Sequence, residues 1–135
     1  MATEKRHEEL AAVALEAFNS GDIDSLVALL HPEIESFTSP DLPNSGTFHG
    51  KEGFLKWMGE WLEAWESFEI ALEEIQSIDE RFAIAAVHQR GRGRGSGLEI
   101  EMDIAQLWQI EDGLIVRFQY HPTVEAARAA VANLR

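Results

Sequence analysis

The sequence contains no cysteine, which excludes disulfide bonds and thiolate catalysis. Basic residues are scarce: 11 Lys and Arg stand against 24 Asp and Glu, for a net charge of −13. Such a chain repels nucleic acid and anionic membranes at long range, so neither is an expected partner. The plain consequence of the charge is solubility. No apolar run approaches the ~20 residues that a membrane span needs. The amino-terminal MATEKRHEEL lacks the apolar core of a signal peptide, and a cytoplasmic location is the expectation. Phosphate loops, nucleophile elbows and zinc motifs are absent. Gly91-Arg92-Gly93-Arg94-Gly95 is too short, in too acidic a chain, to read as an RNA-binding segment.

What the sequence has is apolar patterning. Its apolar fraction of 45% over 135 residues supports one domain, residues 1–135, with a sizeable core. The clearest pattern runs from Leu98 to His121. Leu98, Ile100, Met102, Ile104, Trp108 and Ile110 alternate with mostly polar residues, and Gln106 is the one polar member of their face. After Glu111-Asp112-Gly113 a second alternation places Leu114, Val116, Phe118 and Tyr120 together. Period two of this length predicts two strands. A three-residue loop ending in Gly predicts a hairpin with Trp108 opposite Val116, Gln106 opposite Phe118 and Ile104 opposite Tyr120. The hairpin should wall a cavity.

The rest of the chain supplies elements to close over that wall. Residues 4–19 predict an amphipathic helix, stopped at Asn19-Ser20-Gly21. Asp22 can cap a second helix, 23–30, ended by His31-Pro32. Residues 33–38 predict a short strand. Residues 39–50 hold two of the four prolines and read as a loop, a candidate lid. Residues 51–65 predict a third helix with the stripe Phe54, Trp57, Met58, Trp61, Leu62 and Trp65. Strands follow at 68–78 and 81–94. A Gly95-Ser96 turn would pair Arg92 with Glu99, Arg90 with Glu101 and His88 with Asp103, three favourable cross-strand pairs. It also puts Gln89 by Met102 and Ala85 by Gln106 on the cavity side. Phe82, Ile84 and Leu107 then share the outer face, an apolar patch of the kind that marks a subunit interface. Residues 123–134 predict a last helix, capped by Thr123. Helices segregated from a strand meander indicate an α+β fold with helices on one face of an antiparallel sheet.

Three segments, AFNSGDIDSLVALLHPEIE (17–35), FHGKEGF (48–54) and LWQIEDGLIVRFQY (107–120), resemble in order and spacing the nuclear transport factor 2-like superfamily, and within it the SnoaL-like domains. The resemblance covers almost the whole chain. It implies a cone-shaped α+β barrel: a curved antiparallel sheet with helices packed on its concave face, a pocket between them, and a homodimer through the outer sheet face. The superfamily includes ketosteroid isomerases, polyketide cyclases, dehydratases and epoxide hydrolases, so fold alone does not give function. The isomerases place an aspartate base where this chain has Thr38, and a tyrosine donor where it has Ala14. Their protonated aspartate, and the acid/base of the cyclases, align with Gln106. Glutamine exchanges no proton at neutral pH but donates and accepts hydrogen bonds.

The expected ligand is a small, largely apolar molecule, bound without cofactor or metal. Gln106 would contact its carbonyl or hydroxyl, within a wall of Trp57, Trp61, Trp108, Phe118 and Tyr120 beside Thr38. His49 and Asp41, near the cavity mouth, and Tyr120 are the candidates for acid/base work in an isomerase-, cyclase- or dehydratase-like enzyme. A non-catalytic dimerisation domain, its cavity filled by its own side chains, is the remaining alternative. On the outer face His88, Asp103 and His121 should be neighbours. Two histidines beside a carboxylate can bind a metal, but a salt-bridge network accounts for them without one.

Overall fold

The computed structural model describes residues 2–42 and 45–134, with side chains from residue 6 onward. Its elements, in chain order, are α1 (Ala2–Ser20), α2 (Ile23–Val27), β1 (Leu30–Thr38), β2 (Gly46–His49), α3 (Gly50–Glu63), β3 (Trp65–Ser77), β4 (Phe82–Gly93), β5 (Glu99–Glu111), β6 (Leu114–His121) and α4 (Val124–Leu134). The strands form one curved, open sheet in the order β2-β1-β6-β5-β4-β3. The expected wholly antiparallel sheet is corrected to a mixed one, because β1 runs parallel to β6. No hairpin constrains that pair, and β1 simply occupies the edge that β6 leaves unpaired. The stretch read as a loop contains β2, which folds back on β1 from Glu35↔His49 to Thr38↔Gly46. Four residues, one of them glycine, are too few to show alternation.

Local chemistry explains the shifted boundaries. The second helix ends at Val27, and Leu30 already belongs to β1. Pro32 lies inside β1, where pairing with β6 skips from Leu30 to Glu35. A residue without an N–H is tolerated at such a gap. Trp65 opens β3 instead of closing α3. Asn19, at the end of α1, donates to Ile70 O at 2.7 Å and accepts from Ile70 N at 3.0 Å. Its amide therefore occupies the free edge of β3 and ties α1 to the sheet.

The β4–β5 register is the one expected from a turn at Gly95-Ser96 and supported by the charge pairs: Arg92↔Glu99, Arg90↔Glu101, His88↔Asp103 and Ala85↔Gln106. Its turn is wider than two residues. Gly93 N donates to Leu98 O at 2.8 Å, and Gly95 and Gly97 take φ of 87° and 69°. A four-residue loop centred on the same point leaves the pairing unchanged. The β5–β6 register is corrected. Asp112 (φ 53°) and Gly113 (φ 78°) form a two-residue turn closed by Glu111↔Leu114. Both residues in the left-handed region is the tight turn that suits strand twist. An irregularity after Ile110↔Ile115 then sets Gln109↔Arg117, Trp108↔Phe118, Gln106↔Tyr120 and Ala105↔His121. The shift amounts to two residues, so inward residues stay inward.

Two cores sandwich the sheet. On the concave side α1, α2 and α3 bury Trp57, Trp61, Ile34, Ile104, Trp108 and Tyr120. On the convex side Phe82, Ile84, Ala105 and Leu107 pack against Ala127 and Val131 of α4. Helices thus lie on both faces, a correction to the expectation of one. The apolar outer patch expected at a subunit interface is covered by the chain's own last helix, whose inward stripe fits it. Among the described residues no helix is long and apolar enough to cross a membrane.

Candidate functional site

Between the helices and the concave face lies a cavity of about 40 Å³, lined by Ala14, Phe18, Leu26, Phe54, Trp57, Ile70, Gln106, Trp108, Phe118 and Tyr120 among others. Helix α3 presents Phe54, Trp57 and Trp61 at i, i+3 and i+7, the spacing that puts them on one buried stripe. The three meet the aromatic residues of β6. Trp57 stacks on Trp61 with centroids 6.3 Å apart, and both meet Tyr120 edge-on at 5.1 and 5.8 Å. Phe118 touches Phe54, Trp57 and Tyr120. Such a cavity is filled largely by its own walls, well below the roughly 300 Å³ at which drug-sized sites begin.

Within these walls runs a chain of neutral hydrogen bonds. Trp108 Nε1 donates to Gln106 Oε1 at 3.2 Å. Gln106 Nε2 donates to the Tyr120 hydroxyl at 3.2 Å, and Gln89 Nε2 donates to the same oxygen at 2.8 Å. Trp57 Nε1 donates to Thr38 Oγ1 at 2.8 Å. All of these side chains are buried, Gln89 and Gln106 to 0% and 2% exposure. Burial pushes the Tyr120 phenol up to about 12 against the two amide bonds, which act the other way. Among the described residues, four buried side-chain polar atoms have no hydrogen-bond partner within the protein: Ser36 Oγ, Trp61 Nε1, Trp65 Nε1 and Gln89 Oε1.

The structure gathers most of the residues singled out from the sequence. Gln106, Trp57, Trp108, Phe118 and Tyr120 line the cavity. Trp61 stands behind Trp57, and Thr38 stands behind its indole N–H. Asp41 and His49 are exposed and lie outside the lining, as does Gln89. His49 precedes α3 in extended backbone and makes no capping bond. Of the described residues that line the cavity, Tyr120 is the single titratable one. Sequence reasoning placed Gln89 on this side but gave it no role. The signal was there: a second amide on an inward strand position, which requires a polar partner.

The outer face resolves differently from the sequence register. His88 bridges Asp103 at 2.9 Å and Glu101 at 3.1 Å, and Arg90 meets Glu101 at 3.3 Å. Hydrogen bonds to Asp103, then to Glu101, raise the His88 pKa. Glu73 brings a further carboxylate, with its ligand atom and those of His88 and Asp103 all within 4.8 Å. His121 is not their neighbour. The two-residue shift of β6 puts it opposite Ala105, buried and bonded to Gln119 Oε1 at 2.8 Å.

Comparison with known proteins agrees with this geometry. A family model described as a SnoaL-like domain matches residues 12–118. No curated protein matches the chain. Among solved structures, TerC co-crystallized with polyporic acid is similar at 15% identity and a TM-score of 0.77, over 94% of this chain and 98% of that one. An NTF2-like protein of unknown function from Burkholderia pseudomallei gives 16% and 0.78, over 94% and 95%. A protein with a ketosteroid isomerase-like fold from Catenulispora acidiphila, in complex with trimethylamine, gives 13% and 0.74, over 90% of each chain. Likeness at these identities concerns the fold.

Proposed function

The chain belongs to the SnoaL-like domain family, and from that premise we propose that it binds a small, largely apolar molecule between α3 and the concave face of the sheet. The observation that carries this reading is the set of unspent polar groups around an apolar cavity. Trp61 Nε1, Gln89 Oε1 and Ser36 Oγ are buried without partners. Each belongs to a residue that touches or pairs with a lining residue: Trp61 and Gln89 with Tyr120, Ser36 with Phe118. Leaving such a group unpaired costs about 1–3 kcal/mol, and a region selected for packing alone would replace them with apolar side chains. The ligand enlarges the cavity by displacing ring side chains, as in pockets populated only when occupied. Gln106 and Tyr120 supply polar contacts, while Trp57, Trp108 and Phe118 supply the apolar wall.

A catalytic reading draws on one specific observation. A phenol at about 12 keeps its proton through the neutral range, so Tyr120 would polarise a substrate oxygen as a donor, not act as a base. Base chemistry would fall to Asp41 or His49, both on the loop side of α3. Pairing of two copies through the outer face that α4 leaves open, around the His88–Asp103 network, accompanies either reading and is measured by sedimentation.

The test is ligand-detected NMR of the purified protein against compact aromatic and alicyclic probes, repeated on Gln106→Leu. Binding that weakens in the variant is expected. Affinity that does not change would remove Gln106 from the site, and a protein that takes no probe would return the fold to the dimerisation reading.

A further inference from the structure

Gln89 stands behind Tyr120, off the cavity wall, and its amide decides what the phenol can offer. A phenolic oxygen has two lone pairs and one hydrogen. The indole N–H of Trp108 is a donor only, so it fixes Gln106 with Oε1 toward itself and Nε2 toward Tyr120. One lone pair of the phenol is thereby filled. Gln89 Nε2, at 2.8 Å, fills the other. The hydroxyl hydrogen is then the one free valence of Tyr120. The rings of Trp57, Trp61 and Phe118 pack against that of Tyr120, and Tyr120 itself lines the cavity. Turned the other way, the Gln89 amide would accept that hydrogen at Oε1 and close the site to acceptors.

We propose that Gln89 is a positioning residue that keeps the Tyr120 hydroxyl as a donor toward the cavity, so that the site selects neutral molecules with a carbonyl-type acceptor over hydrocarbons of the same shape. The inference rests on the ligand-binding reading and names its ligand class. Charge supports neutrality: among the described residues the lining holds no cationic side chain to accompany an anion and no carboxylate to accompany an amine. Hydrogen-bond count favours the acceptor: beyond the bonds described, the surroundings hold donors in the Trp61 indole and the second N–H of each amide, against one unpaired carbonyl oxygen, Gln89 Oε1.

The experiment compares acetophenone with α-methylstyrene, which replaces its carbonyl oxygen by a methylene of similar shape, by calorimetry on the full chain. The expected result is that both bind and the ketone binds roughly three- to tenfold tighter, the worth of one hydrogen bond. Tyr120→Phe and Gln89→Met should both bring that ratio toward one. A merely structural role for Gln89 would weaken both probes alike and leave the ratio standing. The carbonyl stretch of bound acetophenone gives a second readout in the unaltered protein, shifted down if a donor reaches it. Equal binding of the two probes, or an unshifted stretch, overturns the inference and leaves the ligand-binding reading in place. A ratio that survives Gln89→Met overturns the role of Gln89. Failure of both probes to bind removes the ligand-binding reading and the inference with it.

Discussion

The indole N–H of Trp108 and the amide oxygen of Gln106, two residues apart on the same face of β5, are hydrogen-bonded at 3.2 Å with both side chains buried. This bond fixes which end of the Gln106 amide faces Tyr120. Gln106→Leu keeps the volume but strands the indole donor and removes one donor from the phenol. The expected cost is about 1–3 kcal/mol, from buried groups left unpaired. A denaturant titration would measure it. A neutral outcome would mean that the indole finds another acceptor.

Tyr120 is the single tyrosine of the chain, so its ionisation can be watched alone by tyrosinate absorbance. Burial pushes it from 10.0 up to about 12. The folded protein therefore holds this proton over a range in which the unfolded chain has lost it. Stability from this group is complete below pH 10 and is lost as pH rises from there toward 12. Titration near 10 in folded protein would show that water reaches the phenol.

Period-two alternation made the β4–β5–β6 wall legible, and a turn centred on Gly95-Ser96, supported by the charge pairs across β4 and β5, set one register even though the turn itself is wider than two residues. The other was displaced by two residues because Glu111-Asp112-Gly113 supports either a three-residue loop or a tight turn followed by an irregularity. Both keep Gln106, Trp108, Phe118 and Tyr120 on the concave face. The residues that line the cavity were therefore visible even where their partners were wrong: Gln106 lies opposite Tyr120, not Phe118. The role of α4 was half visible. Its apolar stripe and the apolar outer patch could each be read, but nothing local says that two distant apolar surfaces cover one another. Strand β2 and the parallel β1–β6 pair were hidden for the same reason, being set by tertiary placement.

The two histidines of the outer face titrate with opposite sign. Hydrogen bonds to Asp103 and Glu101 raise His88 above its ordinary 6.5. Its contribution is fully present below that value and is lost as pH rises through the folded pKa. Burial lowers His121 below 6.5. The unfolded chain then binds that proton first, so stability falls as pH drops below 6.5. Melting temperature against pH should lose its alkaline-side slope in His88→Gln and its acid-side slope in His121→Gln. Curves that coincide with that of the unaltered protein would show that neither group differs between the folded and unfolded states.

Gly91 carries a steric prediction that its Gly-Arg context conceals. The ring of Trp65 lies across it, so a Cβ there would stand 2.5 Å from Trp65 Cε3 and 3.0 Å from Ser67 O. The ring has little room to withdraw, since it also packs on Trp61 and Phe68. Its backbone oxygen is held by Arg94 Nη2 at 3.0 Å, the same guanidinium that closes the end of α3 through Glu63 O. Gly91→Ala must therefore move the sheet or the aromatic stack. Overpacking of this kind costs about 1–3 kcal/mol. Because the displaced ring adjoins the stack that reaches Tyr120, near-ultraviolet circular dichroism should change along with stability. Gly59→Ala, with nothing within 4 Å of its Cβ inside α3, is the control. It should stabilise by about 0.5–1 kcal/mol through helix propensity. If the two variants behaved alike, the contact between Trp65 and Gly91 would not limit the packing of this end of the sheet.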